Sequence, residues 1–199
     1  MLNLTLILLI LSYFGSVFSP PPAPVEVPVL EEVVNKRKEL AWSESRQLTW
    51  NDFAGAPDSH DPLHAITSTN IDMKAKCVGG KFKFEVKSVF LVEESWSKNK
   101  ISTPLLLHEQ LHFDLTEVYA RKIRKELNEL KDACGANNAQ INLIVNRIFD
   151  EWKQEQDRYD EEVNHGLHKE AQQKWAHLIS LRLAETLAYQ NVEIPVITP

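Results

Sequence analysis

The order of apolar and polar positions divides the chain into two regimes. From Ala65 to Val92 it alternates: Ala65, Thr67, Thr69, Ile71, Met73, Ala75 and Cys77 are interleaved with Ser68, Asn70, Asp72, Lys74 and Lys76. After Gly79-Gly80, the residues Phe82, Phe84, Val86, Ser88, Phe90 and Val92 alternate against Lys81, Lys83, Glu85 and Lys87. Two period-2 runs joined by a Gly-Gly pair predict a long β-hairpin, with one face polar and the other wanting cover. From about Thr103 the period becomes helical, with Leu106, Leu107, Leu111, Leu115, Val118, Tyr119, Ile123 and Leu127 at three- and four-residue spacing. Ser102 or Thr103 caps this helix and Pro104 suits its first turn, while Cys134-Gly135 marks the break after its end near Lys131. A second helix is expected from about Asn138 to Asn164, stopped by Gly166, and a third from Lys169 to about Leu187. The predicted class is α+β: a small antiparallel sheet packed on one central helix, with two further long helices.

Ahead of this domain the pattern changes. Leu2 to Phe18 is an apolar run broken only by Asn3, Thr5, Ser12, Tyr13, Gly15 and Ser16, which predicts an export signal in residues 1–19. No Lys or Arg precedes the run and Pro20 follows the small-residue pair Val17 and Ser19, so an uncleaved membrane anchor is the alternative. Either way the remainder is expected outside the cytoplasm. Residues 20–40 begin with proline at high density and read as a stalk, leaving a folded domain over 41–190 and a tail over 191–199. Arg46 to Phe53 is expected to form a short strand anchored by Trp50 and Phe53, followed by a turn at Gly55-Ala56-Pro57-Asp58 and a loop carrying His60 and His64 as exposed residues.

Composition is that of a globular protein, with 43% hydrophobic and 25% charged residues. The net charge of -6 carries no basic footprint and argues against a nucleic-acid partner. The only two cysteines, Cys77 and Cys134, are expected to form one disulfide in an oxidising compartment, with two buried thiols as the alternative.

The chemistry concentrates in His108-Glu109-Gln110-Leu111-His112, an H-E-x-x-H sequence inside the first helical stretch. Residues i and i+4 share a helix face, so both imidazoles can address one metal ion, and Glu109 stands beside the open coordination position as a general base for water. A catalytic zinc needs a third protein ligand. A longer motif in which Gly and a third His follow the second His by three and six residues is excluded, because Leu115 and Val118 stand there. If the first two long helices fold as an antiparallel hairpin near Cys134, His108 to His112 lie level with about Arg158. The segment from Asp157 to Gly166 then passes the site, offering His165 as ligand, Asp157, Asp160 and Glu161 as carboxylates, and Tyr159 as a donor to a developing oxyanion. His165 is preferred as third ligand because Gly166 lets the backbone turn back, with Asp160 the runner-up. Asp114 and Glu117 are expected either to orient an imidazole or to form salt bridges.

Thr49-Trp50-Asn51-Asp52-Phe53-Ala54-Gly55, Leu106 to Asp114, Tyr159-Asp160 and His165-Gly166 together resemble a bacterial domain-of-unknown-function family described as predicted secreted zinc-dependent proteases. The likeness covers about Trp42 to Leu187, and departs at Val163, where Thr is expected. It implies zinc and a zincin-like pairing of sheet and active-site helix, and leaves the substrate open. The resulting expectation is a zinc-dependent metallopeptidase, secreted or envelope-anchored, acting on a peptide or protein substrate. A non-catalytic envelope binding module with a structural or absent zinc is the competing expectation.

Overall fold

The computed structural model describes residues 39–131, 134–135 and 138–191. The expected signal segment, most of the stalk and the tail from Val192 lie outside the described residues. Within them the class is α+β, as the periodicities predict. No described helix is long and apolar enough to cross a membrane.

Strands β1 (Glu39–Ala41), β3 (Thr69–Val78) and β4 (Lys81–Leu91) form one antiparallel sheet in the order β1-β4-β3. Val78 faces Lys81 across the turn, and Gly79 and Gly80 both adopt positive φ, 59° and 74°, as a two-residue hairpin turn requires. β1 was not expected. It begins inside the stretch assigned to the stalk and pairs Glu39 with Leu91, because β4 is long enough to carry a partner along its other edge. The predicted alternation from Ala65 also needs correction. β2 (Ala65–Ile66) leaves the hairpin and pairs instead with β5 (Trp96–Ser97). The switch falls at Ser68, whose N–H donates to Ser95 Oγ at 2.9 Å while its carbonyl accepts from Leu91 N at 2.8 Å.

The strand expected over Arg46 to Phe53 is a 3-10 turn at Trp50–Asp52. Asp52 Oδ2 accepts from the Thr49 N–H at 2.7 Å and its hydroxyl at 3.0 Å, a local pairing that competes with an extended ladder. Phe53 is fully buried against Phe90, as anticipated for a core anchor.

The helices follow the pattern closely. α1 (Thr103–Glu129) starts with Ser102 Oγ accepting the Leu105 N–H at 3.3 Å. α2 (Asn138–Val163) runs back along it and α3 (Lys169–Glu185) packs across both. α1 is the centre of the molecule: the sheet covers one side and the helices the other, so Leu115, Ala120 and Ile123 are wholly buried. Ile71, Phe84 and Val86 from the hairpin meet that helix, with Ile148, Trp152, Tyr159 and Val163 from α2. Cys77 and Cys134 are joined, tying the hairpin tip to the far end of α1.

Candidate metal centre

The antiparallel hairpin of α1 and α2 places Asp160 opposite His108 and Gln156 opposite His112, at the level expected. His108 Nε2 and His112 Nε2 stand 3.2 Å apart. Asp160 Oδ1 lies 3.1 Å from the first and 3.0 Å from the second. Three donors each about 2.0–2.2 Å from one zinc ion at tetrahedral angles stand about 3.3–3.6 Å apart, so the spacing found is close to that of a set converging on one small cation. These three residues form the metal-competent group among the described residues.

Both imidazoles are held with Nε2 free to coordinate. Gln156 Nε2 donates to the His112 carbonyl at 2.9 Å and to Thr116 Oγ1 at 3.1 Å, which fixes its amide. Its Oε1 therefore faces His112 Nδ1 at 2.6 Å and accepts from it, putting the ring proton on Nδ1. On the other ring, His108 Nδ1 lies 2.9 Å from Tyr159 Oη, and that hydroxyl donates onward to Gln172 Oε1 at 2.9 Å. The hydroxyl has one proton, so it accepts from His108 Nδ1–H. Burial raises the Tyr159 pKa far above its ordinary value, and the hydroxyl stays protonated.

The site favours positive charge. Burial opposes ionisation of Asp160, but the His108 and His112 Nε2 atoms against it, which donate when the imidazoles carry a second proton, outweigh this and hold the carboxyl well below the usual range. Burial likewise disfavours charged His112. The hydrogen bond and charge of Asp160, then the charge of Glu109, overcome this and raise its pKa.

Glu109 is the exceptional member. It is only 3% exposed and lines the cleft, yet among the described residues its carboxylate has no hydrogen bond or ion pair. Burying an unpaired carboxylate costs several kcal/mol in general, a cost that a purely structural role does not offset.

The remaining expected residues fall as follows. His165 stays outside the three-donor group: its side chain is half exposed, with Nδ1 3.5 Å from Asp160 Oδ1. α2 ends at Val163, and Asn164, His165 and Gly166 all take positive φ, 48°, 50° and 81°. This turn presses Gly166, rather than His165, onto His108. A Cβ at Gly166 would sit 3.0 Å from His108 Cβ, so Gly is required by both conformation and space. Tyr159 is wholly buried behind His108 and does not line the cleft. Asp157 and Glu161 are exposed. Asp114 accepts from Trp42 Nε1 and Gln110 Nε2, both at 2.8 Å, and Glu117 pairs with Arg121 and Arg124. His60 is exposed on its loop, and exposed His64 borders the cleft.

Gln156 and Gln172 were missed by the sequence reasoning. Gln156 had a signal: it continues the Ile148-Trp152 stripe of α2 at the level of His112. Gln172 had none, because its position depends on how α3 crosses.

The cleft over these residues encloses about 510 Å³ between residues 62–67, the start of α1 and the turn after α2. Fold and site together define an α+β protein with a helix-borne His-His-Asp donor set and a free carboxylate beside it. Residues 41–166 match the family described as bacterial protein of unknown function, DUF922, and the chain belongs to it. No curated protein and no solved structure gives a significant match.

Proposed function

We propose that this chain is a zinc-dependent metallopeptidase of the extracytoplasmic space, with His108, His112 and Asp160 as the zinc ligands. Asp160 is preferred to His165 because its oxygen stands within 3.1 Å of both Nε2 atoms, whereas His165 reaches only Asp160, at 3.5 Å. When bound, zinc supplies a Lewis acid that polarises a carbonyl and makes water more acidic.

The chain's own residues do the rest. Glu109 takes the proton of the attacking water and delivers it to the leaving amine nitrogen. Tyr159 and Gln156 hold the two imidazoles in the tautomer that leaves Nε2 free, so Tyr159 is a positioning residue here and not the oxyanion donor. Gly166 lets the turn after α2 close against His108. Residues 1–19 provide export or anchoring on this proposal.

One observation carries the reading: a buried carboxylate without a partner, facing a cleft next to three converging donors. Glu109→Gln tests it. The variant should keep its zinc, since Glu109 is not a ligand, and lose about 10²–10⁴-fold in peptide hydrolysis. Equal zinc content with undiminished hydrolysis would remove Glu109 from the general-base role.

A further inference from the structure

The cleft wall says what kind of chain could lie in it. Residues 62–67 all line it in unbroken succession. The chain bends at Pro62 and His64, but Ala65 and Ile66 of β2, whose side chains point to opposite faces, both line the cleft, so β2 presents its edge, and hence its backbone, to it. β2, within that run, pairs with β5 on one edge, and no described strand pairs with the other. Such an edge takes a second extended chain by main-chain hydrogen bonds. Thr67 Oγ1, at the end of the same run, is buried with no hydrogen-bond partner.

The side-chain chemistry of the cleft is equally restrictive. Leu63, Ile66, Pro104 and Leu105 supply apolar wall, and Leu167 stands 75% exposed at the border. Lys and Arg are missing from the lining, and its only carboxylates are Glu109 and Asp160 at the donor set. Away from the donor set an acidic side chain would find no Lys or Arg to pair with, and a basic one would lose hydration against an apolar wall. The volume is that of a ligand site rather than a crevice.

We infer that the cleft binds an extended polypeptide segment along residues 62–67, with large apolar side chains against the Leu63 and Leu105 walls. The proposal rests on the peptidase reading and names its substrate class: unfolded or extended chain with apolar residues flanking the reacting bond, not a charged motif.

The test separates the two ideas by measuring binding without turnover. The full chain carrying Glu109→Gln is loaded with zinc and titrated into fluorescein-labelled octapeptides of Gly and Ser with a central Leu-Phe, Asp-Asp or Lys-Lys pair. Anisotropy should show the Leu-Phe peptide bound about tenfold or more tightly than either charged one. Leu63→Asp and Leu105→Asp, added to that protein, should each weaken Leu-Phe binding with zinc content unchanged. Equal affinity for the three peptides overturns the inference, and this comparison uses one protein, so folding of a variant does not enter. Selective binding of the Leu-Phe peptide, with no cleavage of it by the parent, upholds the inference and sinks the peptidase reading. Cleavage by the parent that ignores peptide composition does the reverse.

Discussion

α1 carries two buried polar clusters within about five turns, and they are built on opposite plans. Toward the C-terminal end, Glu117 accepts from Arg121 Nε at 2.9 Å and from Arg124 Nη1 at 2.8 Å. The guanidiniums spend further donors on the carbonyls of Val86, Tyr189 and Leu183, so the cluster pins α1 to β4, α3 and the 3-10 turn Leu187–Tyr189 that follows α3. It is closed, with its carboxylate fully engaged. Toward the N-terminal end, three donors crowd one point and Glu109, as deeply buried as Glu117, has no partner among the described residues, while His112 and Asp160 are only partly buried. Burial of charge alone therefore does not set the candidate site apart in this protein, and unused valence does.

That contrast can be broken from the structural side first. Glu117→Ala leaves two buried guanidiniums without their carboxylate and should cost about 3–5 kcal/mol of stability. Urea unfolding would measure it, while zinc content per folded molecule stays that of the parent. A loss below about 1 kcal/mol would mean the cluster is not closed in the sense argued here.

The disulfide sharpens the comparison, since it stabilises without touching either cluster. It closes a sequence separation of 57 residues, and its reduction should cost about 3–4 kcal/mol through the unfolded chain. The Cys134 end of α1 lies about 30 Å along the helix from His108, so zinc affinity should not move. A parallel fall in zinc affinity on reduction, with the protein still folded, would show coupling that the fold does not provide for.

The smallest effect is expected behind the ligands. Tyr159→Phe keeps the ring and removes the oxygen that accepts from His108 Nδ1, and Gln156→Ala does the same for His112. Each should lower zinc affinity by about 10–100-fold in competition with a chromogenic chelator. Unchanged affinity in both would mean the imidazoles need no outside orientation.

Much of this was legible in the sequence. The hairpin turn, the cap at Ser102, the helix bounds and the level at which α2 passes His108 all follow from local period and turn chemistry, which tertiary contacts left intact. β1 and the β2–β5 pair were hidden because strands of two or three residues have too few positions to show a period. The order of His165 and Asp160 turned on the rotation of α2 about its axis. Tyr159 is core, wholly buried beside Trp175, and with that fixed Asp160 faces α1 while the left-handed turn takes His165 to the rim. Gly166 favoured His165 in the sequence because it lets the backbone turn back, and the turn it makes seats Gly166 itself, rather than the imidazole, against His108.

The central claim is that His108, His112 and Asp160 hold the metal. Zinc stoichiometry and affinity measured side by side for the parent, Asp160→Ala and His165→Ala test it most directly. The account predicts one zinc per chain in the parent and in His165→Ala, and a folded but metal-free Asp160→Ala. A metal-free His165→Ala beside an Asp160→Ala that binds zinc like the parent would contradict it.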